Sequence, residues 1–178
     1  LGTSPHEYAR FREDLERFSK KAIPFPKEAV PTITNGKLGF DTEYTPQEVL
    51  CGAVSDGKVA ITVEAKSFSR LSNLLSQNTI VGHNLPVDLD ALIKAKVSGV
   101  TVALERWLKG DRQRDTLLIA KLADENRGVG GYTLESLLLA RNNVEDYKAP
   151  TEALGPDPTL WPVPLRDERC RLDAWATV

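Results

Sequence analysis

The stretch "KLGFDTEYTPQEVLCGAVSDGKVAITVE", Lys37 to Glu64, decides the fold class. Its three apolar runs, "KLGFDTE", "VLCGAVS" and "KVAITVE", read as successive strands, and Asp56-Gly57 between the second and third is a hairpin signal. The first run also holds two carboxylates. Side chains on a strand alternate faces, so Asp41 and Glu43 point the same way. Like charges held that close repel, and each is better solvated in water. A cation between them removes the conflict. A solvated strand end is the plainer reading of an isolated D-x-E, so the pair needs partners elsewhere.

Outward from this stretch the pattern alternates. "SFSRLSNLLSQ", Ser67 to Gln77, predicts a short helix, and "TIVG", Thr79 to Gly82, a strand. "NLPVDLDALIKA" predicts a helix capped by Asn84 with Pro86 in its first turn. "DTLLIAKLADE" and "TLESLLLARN" predict two amphipathic helices opened by the capping residues Asp115 and Thr133. A long Pro-containing loop, Asn142 to Pro164, precedes a last helix from about Leu165 to the chain's end. Hairpin strands followed by alternating helix and strand predict an α/β fold, a mixed β-sheet flanked by α-helices. Upstream, "SPHEYARFREDLERFSKKA" predicts a helix with Ser4 as cap, Pro5 in the first turn and Glu7 closing a capping box; Tyr8, Phe11, Leu15 and Phe18 form its apolar stripe. A Pro-rich connector ending in an Asn-Gly turn joins it to the sheet. Residues 1–36 are thus expected to be a helix with its connector, and 37–178 the main domain.

The totals narrow the function. A chain of 178 residues can bury one proper core. With 23 basic against 25 acidic residues the net charge is −2, so binding to a polyanion would have to be local or metal-mediated. Apolar runs fall short of the roughly 20 residues that cross a bilayer, and the N-terminus lacks a secretory h-region; no membrane partner and a cytoplasmic setting are expected. Cys51 and Cys170 have neither disulfide-framework nor zinc spacing. A chain that opens on Leu and contains no Met is expected to be a piece of a longer protein, continuing beyond a helix that Val178 interrupts.

Other acidic residues lie in apolar settings. Asp88 has Asn84, Leu85, Ala91 and Leu92 as helical neighbours, while Asp90 has Pro86, Val87, Ile93 and Lys94, so periodicity alone does not choose between them. Asp173 lies beside Cys170 and Ala176 in the last helix. Hard cations such as magnesium take oxygen ligands, and a strand pair plus one carboxylate from each of two helices would supply them. For each residue alone, a surface charge or a dipole-favoured position is the commoner role.

Taken together, "GFDTE", "VGHNLPVDLDAL", "RDTLLIAKLAD", "YTLESLL" and "LDAWAT" occur in the order found in the DEDD superfamily of 3′→5′ exonucleases. From Lys37 onward the chain most resembles the proofreading exonuclease domain of family A, Pol I-like DNA polymerases. The resemblance implies a ribonuclease H-like sheet and a metal-dependent phosphodiester hydrolase. It makes Asp41, Glu43, Asp88 and Asp173 the catalytic carboxylates holding two Mg²⁺ or Mn²⁺ ions. It places Thr42 and Asn84 at the substrate, a single-stranded DNA 3′ end, and a polymerase domain C-terminal in the parent chain.

The third motif of that family carries a Tyr four residues before its Asp or, in a sister group, a His five before. Here those positions hold Arg169 and Glu168. Arg169 is spaced for an i,i+4 ion pair with Asp173 and is suited to a substrate phosphate. An active exonuclease, a degenerate one kept as a nucleic-acid-binding or structural scaffold, and a ribonuclease D-like RNA exonuclease all remain open; "LWPVPLRDERCRLDAW" resembles the last of these. His83 is expected to make a structural hydrogen bond, and Tyr132 and Trp161 to pack. The basic stretch around Trp107 (Arg106, Lys109, Arg112, Arg114) is read as a solvated face with a core Trp, or as a strand contact.

Overall fold

The Lys37–Tyr44 strand, β2, sits in the middle of the sheet and carries two different faces. Leu38 and Phe40 are buried on one, while Gly39, Asp41 and Glu43 occupy the other. The structure, a computed structural model, describes residues 25–96, 101, 105–106, 109, 113–124, 131–142 and 147–178. The helix expected from Ser4 to Ala22, and Trp107 and Arg112, lie outside these.

β2 pairs antiparallel with β3 (Val49–Ser55), which pairs antiparallel with β4 (Val59–Glu64). The Asp56-Gly57 hairpin forms as expected. Gly57 takes the positive φ of 87°, and Asp56 Oδ1 accepts the amides of Lys58 and Val59, each at 2.9 Å. On its other side β2 runs parallel to β5 (Thr79–Gly82). Two short strands complete the sheet where sequence patterning predicts none. Lys27–Glu28 of the Pro-rich connector forms β1 beside β4, and Gln113–Asp115 forms β6 beside β5. The order β1-β4-β3-β2-β5-β6 makes a six-stranded mixed sheet, the expected α/β class.

A 3₁₀ helix, Ala65–Leu71, leads into α1 (Ser72–Gln77), so the single helix expected there is two pieces. The remaining helices are α2 (Leu85–Lys94), α3 (Thr116–Ala123), α4 (Leu134–Asn142), α5 (Ala149–Glu152) and α6 (Val163–Ala176). The expected long loop therefore contains α5 and a second 3₁₀ turn, Pro158–Leu160. Helix α6 starts earlier than expected, with Pro164 in its first turn, and closes at Ala176 with Thr177 as its C-cap. Among the described residues, no helix is long and apolar enough to cross a membrane.

One sheet face holds most of the core. Leu38, Phe40, Val54 and Ile80 meet Phe68, Leu71, Leu75, Leu85, Leu89 and Leu92, with Phe40 and Phe68 edge-on at 6.1 Å. Each such side chain contributes about 1.5–3 kcal/mol on burial. The other face is covered by α6 through small residues, Cys51 and Ala53 against Cys170 and Ala174. The two cysteines, far apart in sequence, thus share one cluster as free thiols. Gly39 permits this contact, because a Cβ there would stand 2.0 Å from the Ala174 carbonyl oxygen. Thr177 Oγ1 donates to Val81 O at 2.9 Å and Thr62 Oγ1 to Asp167 O at 2.8 Å, tying both ends of α6 to the sheet.

Candidate active site

The parallel pairing of β2 with β5 ends at Gly39 and Val81, so the edge of β2 beyond it has no strand neighbour on that side. Helix α2 fills the gap. Asp88 Oδ1 accepts the Thr42 amide at 3.1 Å and the Thr42 hydroxyl at 2.5 Å. Asp88 is buried, whereas Asp90 is exposed and pairs with Lys94 at 2.5 Å. This resolves the choice that periodicity left open. From the opposite face, α6 brings Asp173 to β2. Asp41, Glu43 and Asp173 each offer a carboxylate oxygen, all within 4.8 Å of one another. The carboxylates gather at the carboxyl end of a parallel strand, where α/β sheets place ligands.

Three of them are short of positive charge. Burial, followed by the neighbouring Asp173, Asp88 and Glu43, pushes the Asp41 carboxyl well above the usual carboxylate range. Burial and Asp173 push Glu43 to about 7, against the pull of Arg169 and Lys148. Burial pushes Asp88 to about 7 although the Thr42 hydrogen bonds oppose it. A cation held by the grouped oxygens would relieve Asp41 and Glu43 directly. The donors are all carboxylate oxygens, which fits a hard ion of the magnesium or manganese kind.

Asp173 is held differently. The expected i,i+4 pair forms, with Arg169 Nε donating to Asp173 Oδ2 at 2.7 Å. Oδ1 accepts the Tyr147 hydroxyl at 2.5 Å and pairs with Lys148 Nζ at 3.1 Å. Arg169 is anchored in turn. Its Nη1 donates to Thr151 Oγ1 at 2.7 Å, and its Cζ lies 5.9 Å from the centre of the Trp161 ring. The Trp161 indole N–H is fixed on Gly155 O at 2.9 Å. Burial and the adjacent Asp173 push the Tyr147 hydroxyl far up, so it stays a proton donor.

The other expected positions divide. Thr42 and its hydroxyl are buried on Asp88, so it orients a carboxylate. Asn84 stands at the N-cap of α2 but does not cap with its side chain. The turn out of β5 puts it in the left-handed region at φ 62°, which Asn tolerates, and its N–H donates to Asp115 Oδ1 at 3.1 Å. Asp115 caps α3 as expected, accepting from Leu117 and Leu118. Thr133 Oγ1 likewise accepts the Ser136 amide at 3.1 Å at the start of α4. His83 Nδ1 lies 2.9 Å from Thr116 Oγ1, the structural hydrogen bond expected of it. Glu168 is exposed. Arg106 is bound to the Ser76 carbonyl and Arg114 Nη1 to Gln113 O at 2.7 Å, so these two cations serve the fold.

Sequence reasoning missed Tyr147, Lys148 and Thr151. They lie in "DYKAPTE", where Pro150 in the first turn of α5 was the only usable signal, and no spacing connects them to Asp173. A groove between the β2–β3 turn and α2, lined by Tyr44, Gln47, Val87, Ala91 and Lys94, flanks the site. No protein-family model, curated protein or solved structure matches this chain.

Proposed function

We propose that the protein is a metal-dependent 3′→5′ exonuclease, the proofreading domain of a DNA polymerase, acting on single-stranded or frayed 3′ ends and releasing nucleoside monophosphates. The grouping of Asp41, Glu43 and Asp173 from one strand and one helix, with Asp88 of a second helix held beside it on Thr42, carries this reading. The mixed sheet, with β2 between an antiparallel meander and parallel β5, supports its ribonuclease H-like form.

Two magnesium or manganese ions at these carboxylates would activate water and offset charge on the departing 3′ oxygen. The chain's own residues do the positioning. Thr42 fixes the Asp88 carboxylate, and α6 holds Asp173 over β2. Tyr147, through its hydroxyl on Asp173, supplies the aromatic hydroxyl that position 169 lacks. Exposed Asn84 meets the terminal nucleotide, and the groove beside Tyr44 and Val87 receives the frayed strand. The metals make a site of four acidic residues hospitable to a polyanion.

A second reading, a degenerate exonuclease kept as a scaffold, is favoured by one observation: both oxygens of Asp173 are already bonded to cations. Degradation of a 5′-labelled single-stranded DNA, beside the same sequence in RNA, separates the readings. The expected result is a metal-requiring 3′→5′ ladder on DNA, lowered on the order of 10³-fold in Asp41→Ala. Tyr147→Phe should lower kcat roughly 10- to 100-fold with KM little changed. A wild-type ladder no stronger than that of Asp41→Ala, in either metal, would overturn the catalytic reading and leave the scaffold. Preference for the RNA would make it a ribonuclease D-like trimmer.

A further inference from the structure

We propose that the Lys148 ammonium is a resident counter-cation of this site, which competes with a divalent metal for Asp173 and withdraws to solvent when the metal binds. This rests on the metal-site reading above and concerns how that site is regulated.

A carboxylate offers about four lone-pair positions, and Tyr147, Lys148 and Arg169 occupy three of them on Asp173. A divalent ion shared by Asp41, Glu43 and Asp173 would stand beside the ammonium on the same carboxylate. Two cations that close repel, so one must move. Arg169 is poorly placed to do so, being tied to Thr151 and stacked on Trp161. Lys148, whose Nζ also lies 5.7 Å from the centre of the Tyr147 ring, is a compact, strongly hydrated charge on a flexible stem. Its side chain is 13% exposed, so solvent is within reach. Its backbone stays fixed, because the Lys148 carbonyl accepts the amides of Thr151 and Glu152 and the Thr151 hydroxyl. The charge of Lys148 is felt at Asp41 and Glu43 as well as at Asp173. It therefore partly neutralises the whole cluster in the metal-free protein. Linkage makes the relation reciprocal: whatever Lys148 contributes to the metal-free state, it subtracts from metal affinity.

Two measurements test this. Acetylation of the wild-type protein by an amine-reactive reagent, followed at Lys148 by mass spectrometry, should become several-fold faster when Mg²⁺ is added. An unchanged or slower rate would overturn the proposal, and this test needs no variant to fold. Mn²⁺ affinity, read by electron paramagnetic resonance, should tighten on the order of tenfold in Lys148→Met. It should stay near wild type in Lys148→Arg, which keeps the charge. Equal or weaker Mn²⁺ binding in a folded Lys148→Met, with binding still lost in Asp41→Ala, would overturn the role of Lys148 and leave the metal site standing. Wild-type Mn²⁺ binding no better than that of Asp41→Ala would overturn the metal reading itself.

Discussion

Asp88 and Asp173 are equally buried, at 6% exposure each, yet their surroundings are opposite. Among the described residues Asp88 meets neutral donors, chiefly the amide and hydroxyl of Thr42. Asp173 meets a guanidinium, an ammonium and a phenol from two separate elements. Among the described residues, the β2–α2 corner thus presents a carboxyl without a paired cation, and the α5–α6 corner one that brings its own. Burial alone does not define a metal ligand; what already shares the carboxylate decides how readily a metal can take it.

The largest expected break in this contrast comes from substituting each partner. Arg169→Ala removes one of the two cations on a buried carboxylate, with Lys148 and Tyr147 still in place, and should cost about 1.5–3 kcal/mol in denaturant unfolding without metal. Thr42→Val removes one neutral hydrogen bond and should cost about 1 kcal/mol. Equal losses would mean that the two corners are held alike. Added Mg²⁺ should recover much of the Arg169→Ala loss, because the ion replaces the missing charge.

A subtler test is pH. Glu43 and Asp88 ordinarily titrate near 4.5 and 3.8 but are pushed to about 7 in the fold. Between those values the folded chain keeps protons that the unfolded chain has released. Their contribution is therefore fully present below about pH 4 and lost as pH rises through about 7. Thermal unfolding of the metal-free protein should show Tm falling across that window. Protection by Mg²⁺ should grow over the same window, since metal displaces the protons. A flat metal-free profile would place these carboxyls in water.

Much of the central sheet and its nearest helices is legible in the sequence, because β2, β3, β4, β5 and α2 carry apolar runs or periodicity long enough to read. The edge strands are not. Gln113–Asp115 is three polar residues long, and Lys27–Glu28 is two, so neither has a pattern. The four carboxylates are singled out together only by the resemblance of their motifs, since each alone reads as a surface, strand-end or dipole-favoured charge. Geometry, and not periodicity, separates Asp88 from Asp90. The ion pair of Arg169 with Asp173 follows from helical spacing. Tyr147 and Lys148 reach Asp173 through the packing of α5 on α6, a contact between elements that no local rule encodes. Asn84 misleads for a related reason: it holds the capping position, but the sharp exit from β5 determines its backbone and leaves its side chain without the cap.

Gly39 acts as a gauge block for all of this. Helix α6 rests on bare backbone there, two residues from Asp41 and opposite Ala174, the neighbour of Asp173. One added methyl would collide with a main-chain oxygen, which cannot swing aside as a side chain would. The helix would have to ride higher, while every charge and nearly every apolar contact stayed in the chain. Metal–oxygen distances tolerate errors of only about 0.2 Å. The calibration of the site is thus set by the one position on that face of β2 where the strand has no side chain at all.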